Sequence, residues 1–476
     1  MNMNEKKPPH LIDRTEEADV PPGNIYRHGI SDADWYDWRW QLAHSLSKPS
    51  DFKGAIEFLP EEVQALQSPG MFKIGVTPYF AGLIDPHDPN CPIRRQVIPN
   101  IAEKQVSLDE MADSLGEESH SPVPGLIHRY PDRVLMLINS QCAGYCRFCT
   151  RSRLVGDPHH QFTNKDYQQQ IDYIAANPSV RDVLLSGGDP LILPQHVLES
   201  ILKRIREIPH VEVIRIGTRV PVYLPMRIDP DLVQMLSRYH PLWMNIHFNH
   251  PKEITPDVKR ALTMLADAGI PLGSQTVLLA GINDCPQTMK KLFHQLVMSR
   301  VRPYYLYQCD QVPGSSHFRT SVSTGIEIIE SLRGHTSGFA IPTFVIDAPE
   351  GGGKVPIFPQ YLISNSDKTA VVRNYEGLIT AYHQPAGYAS HDPLTCPACL
   401  SAAEDSQEGV SALLSGHKRA ILPEQWSSSH QRSVPLPDSL QPKRKVPAAL
   451  KPLQQNPERS DPAEISRKPN KRNDRS

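Results

Sequence analysis

Three of the chain's eight cysteines, Cys142, Cys146 and Cys149, fall within "QCAGYCRFCTR" (141–151) at the spacing C-x3-C-x2-C. An odd number of thiols cannot all pair as disulfides. Three soft thiolates in one short loop suit three corners of a [4Fe–4S] cube and leave its fourth iron free to chelate a small molecule through an amine and a carboxylate. Zinc would call for a fourth nearby Cys or His, and 142–155 contains none.

A second stretch, "DAPEGGGKVP" (347–356), places a lysine after three glycines. As a phosphate-binding P-loop it fails, because Ala348 stands at the first glycine position and Val355 replaces Ser or Thr. The glycines let backbone bend and approach a ligand closely, which sets Lys354 beside something flat or bulky. A lysine in a semi-enclosed site can form a Schiff base with an aldehyde cofactor. A surface lysine after a flexible loop fits the same residues.

These residues need elements to hold them. From about 133 the chain alternates strand and amphipathic-helix signals. Strands are expected at 133–139, 182–186, 212–217, 243–248, 272–279, 302–308 and 342–348. Between them lie helix patterns such as "YQQQIDYIAANP", "LESILKRIREIP", "PDVKRALTMLADAG", "QTMKKLFHQLVMSR" and "IEIIESLRGH". Strand–helix alternation implies a parallel sheet with right-handed crossovers. Without a Rossmann glycine fingerprint, it suggests an α/β barrel, whole or partial. Barrel chemistry sits at the C-terminal strand ends. Here those ends read Cys142 onward, "SGGD" (186–189), "TR" (218–219), "HFNH" (247–250), Gln275, "YQCD" (307–310) and Asp347.

Upstream, "SDADWYDWRWQLAHSLS" predicts a helix started by Ser31 with Asp34, and 60–68 a shorter one. Trp35, Trp38 and Leu42 recur at helical spacing and read as core packing. The net charge of −2 argues against a broad nucleic-acid-gripping face. No apolar run approaches the ~18 residues of a membrane span, and the first residues carry no apolar signal core. A cytoplasmic enzyme is the expectation. From Ser439 onward ten Lys/Arg stand against four Asp/Glu in a Pro- and Ser-rich stretch, which reads as a solvated basic tail.

The cysteine stretch, with the aromatic Phe148 before its third cysteine and set after the first barrel strand, resembles the radical S-adenosylmethionine (SAM) superfamily. "SGGD" resembles the glycine-rich segment that supports the SAM amino group, with Gly187, Gly188 and Asp189 in that place. Together with "HRYPDR", "DVLLSGGDPL", "HFNHPKEIT", "LLAGINDC", "VRPYYLYQCD" and "TFVIDAPEGGGK", the pattern from about 30 to 400 resembles the lysine 2,3-aminomutase family.

That resemblance implies a partial (β/α)6 TIM-type barrel of the radical SAM kind at 129–350. A polar N-terminus (1–30) and a helical N-terminal subdomain (31–128) would precede it. A segment with the cofactor lysine and an oligomerisation region (351–404) and the tail (405–476) would follow. Cys142, Cys146 and Cys149 would ligate the cluster, and Lys354 would carry pyridoxal 5′-phosphate (PLP). Arg129, Tyr130 and Arg133 would hold the cofactor phosphate, two guanidinium forks suiting a dianion. Gln275 would lie in the SAM and PLP region. Arg151 would bind the substrate carboxylate, and Asp310 with Asp347 the far ammonium of lysine. A buried carboxylate pair is costly unless a cation sits between its members, so the two aspartates favour lysine over glutamate. The implied reaction is radical 1,2-amino migration from L-lysine to L-β-lysine, fed by an electron donor such as flavodoxin or ferredoxin.

The family's C-terminal zinc motif has lost a ligand here, since Leu394 stands at its first cysteine position. Cys285, Cys396 and Cys399 remain as zinc candidates, with His391 as a fourth, and intersubunit zinc would imply a dimer or tetramer. Competing readings are an aminomutase for arginine, glutamate or a protein-attached lysine. From a different class comes a metal-containing nucleic-acid-binding protein that uses the basic tail.

Overall fold

The computed structural model describes residues 24–157 and 161–385. Its centre is a nine-stranded sheet in which sequential strands are neighbours. The strands are β1 (Leu126–Tyr130), β2 (Arg133–Asn139), β3 (Asp182–Gly187), β4 (Val213–Thr218), β5 (Leu242–His247), β6 (Leu272–Leu278), β7 (Val301–Gln308), β8 (Thr343–Ala348) and β9 (Gly353–Pro356). From β2 to β8 every pairing is parallel, while β1 and β9 pair antiparallel at the two edges. Helical crossovers separate the seven parallel strands, giving six βα units and a closing strand. The sheet curls nearly into a barrel.

The strands have two unlike faces because side chains alternate with a period of two. On β4, Ile214 and Ile216 are fully buried against the helices, while Arg215 and Gly217 line the barrel interior. On β5, Met244 and Ile246 point outward, and Trp243, Asn245 and His247 line the interior. The helix Gln195–Arg206 buries Leu198, Ile201, Leu202 and Ile205, one stripe at helical spacing.

The seven expected strands are all present within a residue or so. β1 and β9 escape the strand–helix pattern because both are short hairpin partners of a neighbouring strand. Their side chains bring the edges of the sheet together. The Tyr130 hydroxyl accepts from the Lys354 amide at 3.0 Å, and Arg129 Nε donates to the Gly351 carbonyl.

One expected helix divides in two, Asp32–Trp35 and Trp38–Ala43. Ser31 caps the first as anticipated, but the Asp37 carboxylate accepts from the Arg39 amide at 2.9 Å and starts the second. The residues at 31–128 share their core with the barrel. Trp35, Phe52, Phe80 and Ile93 belong to the same buried cluster as Val183 and Leu306. A separate antiparallel sheet follows, β10 (Leu362–Asn365), β11 (Thr369–Arg373) and β12 (Ile379–His383). No helix among the described residues is long and apolar enough to cross a membrane. Cys396, Cys399, His391 and the basic tail lie outside the described residues.

Candidate active site

A cavity of about 740 Å³ is lined by Cys142, Cys146 and Cys149 and also by Asp310, Asp347 and Lys354. Gly187, Gly188, Asp189, Gln275, Arg129, Tyr130, Arg133 and Arg151 line the same space. The polar strand ends expected from the sequence therefore share one chamber.

The cysteine loop is fixed on two sides. Arg147, inside the motif, buries its guanidinium against Glu103 at 2.5 Å and donates to the Lys73 and Phe72 carbonyls. On the other side the Gly188 and Asp189 amides donate to the Asn139 and Gln141 carbonyls at 2.5 and 2.7 Å. Gly187 has φ +129°, and a Cβ there or on Gly188 would collide with those carbonyls. The "SGGD" amides thus bind the cysteine loop itself.

The Asp189 carboxylate is likewise engaged. It accepts from Thr218 Oγ1 and the Arg219 amide, each at 2.7 Å, and from the Leu191 and Val220 amides. Burial raises its pKa to about 6 against the pull of these donors. A carboxylate so occupied ties the end of β3 to the end of β4.

Burial pushes the Cys149 thiol up to about 12 and Cys142 well above its ordinary value. Thiolates in that setting need a cationic partner, which is what an iron cluster provides. Arg219 Nη1 donates to Cys146 Sγ at 2.8 Å, and Arg219 also pairs with Glu253 at 3.0 Å. Among the described residues no three His, Cys, Asp or Glu side chains converge on one metal ion. The donor set, three thiols spread along one wall, suits a cluster. Phe148 packs edge-on against Phe318 at 5.9 Å and shields the loop.

Asp347 on β8 pairs in register with Lys354 on β9. Lys354 Nζ lies 3.2 Å from Asp347 Oδ1 and 5.5 Å from the centre of the Tyr307 ring. The turn between them needs left-handed backbone at Glu350 (φ 59°), Gly351 (77°) and Gly353 (81°). A Cβ on Gly351 would stand 2.6 Å from His120 Cε1, so the loop is held against an upstream segment.

Burial first, then Asp347, raises the pKa of Asp310 to about 7, while Lys354 and Arg151 pull it down. The two aspartates are close enough to interact, and an ammonium already lies against one of them. Arg133 stacks its guanidinium 3.8 Å over the Tyr130 ring, and Gln275 Nε2 donates to the Tyr307 hydroxyl at 3.3 Å. Arg129, Tyr130, Arg133 and Lys354 thus surround one end of the cavity, and that donor set fits a phosphorylated aldehyde.

Cys285 stands apart. It is exposed at the start of the helix Pro286–Met298, and amide donors led by that of Thr288 lower its pKa. No zinc ligand set gathers round it among the described residues.

Sequence reading assigned no role to Glu117, Arg219 or Tyr307. Arg219 carried a weak signal as part of the strand end "TR". Glu117 carried none, because it lies on an irregular segment 34 residues before the arginine it binds.

Comparison with known proteins adds the family. The model described as "Radical SAM superfamily" matches residues 136–293, and that described as "Lysine-2,3-aminomutase" matches 329–445. L-lysine 2,3-aminomutase of Clostridium subterminale is 51% identical over 395 residues, covering 83% of this chain and 94% of that protein. The same-named protein of Fusobacterium nucleatum is 54% identical over 365 residues, covering 76% and 86%. Glutamate 2,3-aminomutase of Clostridioides difficile is 42% identical over 350 residues, covering 73% and 83%.

Proposed function

The chain belongs to the lysine 2,3-aminomutase family of radical SAM enzymes, and from that premise we propose that it moves the α-amino group of L-lysine to C3, giving L-β-lysine. The observation that carries the substrate is the Asp310–Asp347 pair, both lining one cavity, with a lysine ammonium 3.2 Å from Asp347. Half-enclosed carboxylates that feel each other's charge favour a cationic guest and repel another carboxylate. A glutamate side chain would meet that repulsion, so the pair favours lysine over glutamate.

Cys142, Cys146 and Cys149 would hold a [4Fe–4S] cluster that serves SAM. Lys354 would hold PLP, and Arg129, Tyr130 and Arg133 would take its phosphate. When bound, the cluster with SAM would supply radical chemistry and PLP would supply covalent activation of the amino group. The protein's own residues orient the substrate and keep water out. Asp310 and Asp347 take the side-chain ammonium, which fixes that end of the chain. Arg151 takes the α-carboxylate, which fixes the other end of the substrate. Gly187, Gly188 and Asp189 set the cysteine loop against the strand ends, and Gln275 orients Tyr307 beside Lys354. Phe148 and its apolar neighbours exclude solvent from the radical.

A one-electron donor of the flavodoxin or ferredoxin type, a cytoplasmic setting and a homo-oligomer complete the reading. Reconstituted enzyme offered L-lysine, L-arginine and L-glutamate separately is expected to rearrange lysine. Preferential turnover of glutamate or arginine would overturn the substrate assignment.

A further inference from the structure

Arg151 does not stand free in the cavity wall. Glu117 takes its guanidinium side-on, with Nε 2.9 and 3.1 Å from the two carboxylate oxygens and Nη2 2.5 Å from Oε1. Both side chains are largely enclosed, Glu117 at 7% exposure and Arg151 at 17%.

Glu117 is itself held. The Asp113 carboxylate accepts from the Glu117 and Glu118 amides at 3.0 and 2.8 Å, which fixes the turn that carries it. Arg153 reaches Asp113 at 3.0 Å and Glu117 at 3.7 Å, so Glu117 is the shared counter-charge of two arginines. The same turn leans on the loop that leads to Lys354, since a Cβ on Gly116 would meet the Gly351 amide at 3.0 Å.

We propose that Glu117 is the positioning residue that presents Arg151 to the substrate α-carboxylate. A guanidinium offers two edges to a carboxylate, Nε with Nη2 and Nη1 with Nη2. Glu117 occupies the first, so the substrate meets the second in a fixed plane. The rotamer freedom of a long arginine is then lost before lysine arrives, which lowers the cost of ordering at binding. Because the Glu117–Arg151 pair is neutral as a unit, it selects a carboxylate by geometry more than by attraction at a distance.

This inference rests on the reading that Arg151 receives the substrate carboxylate, and the test separates the two. Wild type, E117Q, E117D and R151K are compared as cluster- and PLP-loaded protein. Steady-state rates give KM and kcat for L-lysine. Calorimetry without reductant gives the affinities of L-lysine and of 1,5-diaminopentane, which lacks the carboxylate.

In E117Q the KM and dissociation constant for lysine are expected to rise about tenfold, as for loss of a charged hydrogen-bond partner. Diaminopentane affinity and kcat should change little, and E117D should recover part of the loss. Equal loss of both ligands in E117Q and E117D, or no loss of lysine affinity in E117Q, would overturn the role of Glu117. Wild-type lysine affinity in R151K would instead overturn the placement of the carboxylate on Arg151.

Discussion

Asp310 decides by its ionisation whether the cavity receives a cation. Burial and Asp347 hold its carboxyl at about 7 in the fold, against an ordinary 3.8. A carboxyl raised in this way binds its proton more tightly folded than unfolded. Its contribution to ligand-free stability is full below about pH 4 and is lost as pH rises through about 7. Denaturant titrations across that window should show the slope in wild type and lose it in D310N. Lysine binding needs the ionised form, so kcat/KM should climb with pH on an apparent pKa near 7. D310N should flatten that limb and weaken lysine on the order of a hundredfold, as for truncation of one member of a buried charge pair. Lys354 makes a separate prediction. Borohydride should fix PLP to the wild-type chain and leave none covalently bound to K354A, read by mass after denaturation. At this scale the sequence was legible wherever a motif bunches its residues. Cys142, Cys146, Cys149 and Lys354 announce themselves, whereas Glu117 and Tyr307 acquire meaning from partners far along the chain.

Between elements, the tightest join is the seam of the cysteine loop with the end of β3. Gly188 faces the Gln141 backbone with no room for a methyl group. G188A should destabilise the fold by about 2 kcal/mol, as overpacking does, and should lower bound iron by splaying the loop. Gly338 has nothing within 4 Å of an added Cβ, so G338A should leave melting temperature and iron content unchanged. The apolar strands and striped helices of the barrel were readable because both are long enough to show a period. Which strand face looks inward was not readable locally. In "WMNIHF" the outward Met244 and Ile246 and the inward Trp243 and Asn245 are told apart by the curl of the whole sheet. β1 and β9 were missed because their place depends on Arg129 and Tyr130 reaching the glycine loop more than 220 positions later. The 31–47 helix broke where the cap at Asp37 outweighed continued helical spacing.

As a whole molecule, the chain brings a cysteine loop and a lysine turn, far apart in sequence, into the lining of one cavity, together with two carboxylates and an arginine. The residues before the barrel belong to that construction. They bury the barrel's flank, anchor the cysteine loop through Glu103, and supply Glu117 to the cavity. The sequence suggested a separate subdomain because its short helices carry no periodic link to the strands they cover. The central claim is that this cavity moves an amino group from C2 to C3 of lysine. The most direct test uses L-lysine labelled with ¹⁵N at the α-amino group and anaerobic, cluster- and PLP-loaded protein with SAM and reductant. The account predicts β-lysine carrying the ¹⁵N on C3, dependent on SAM and absent in K354A. Unchanged lysine in protein whose cluster and PLP are present by absorbance would contradict it.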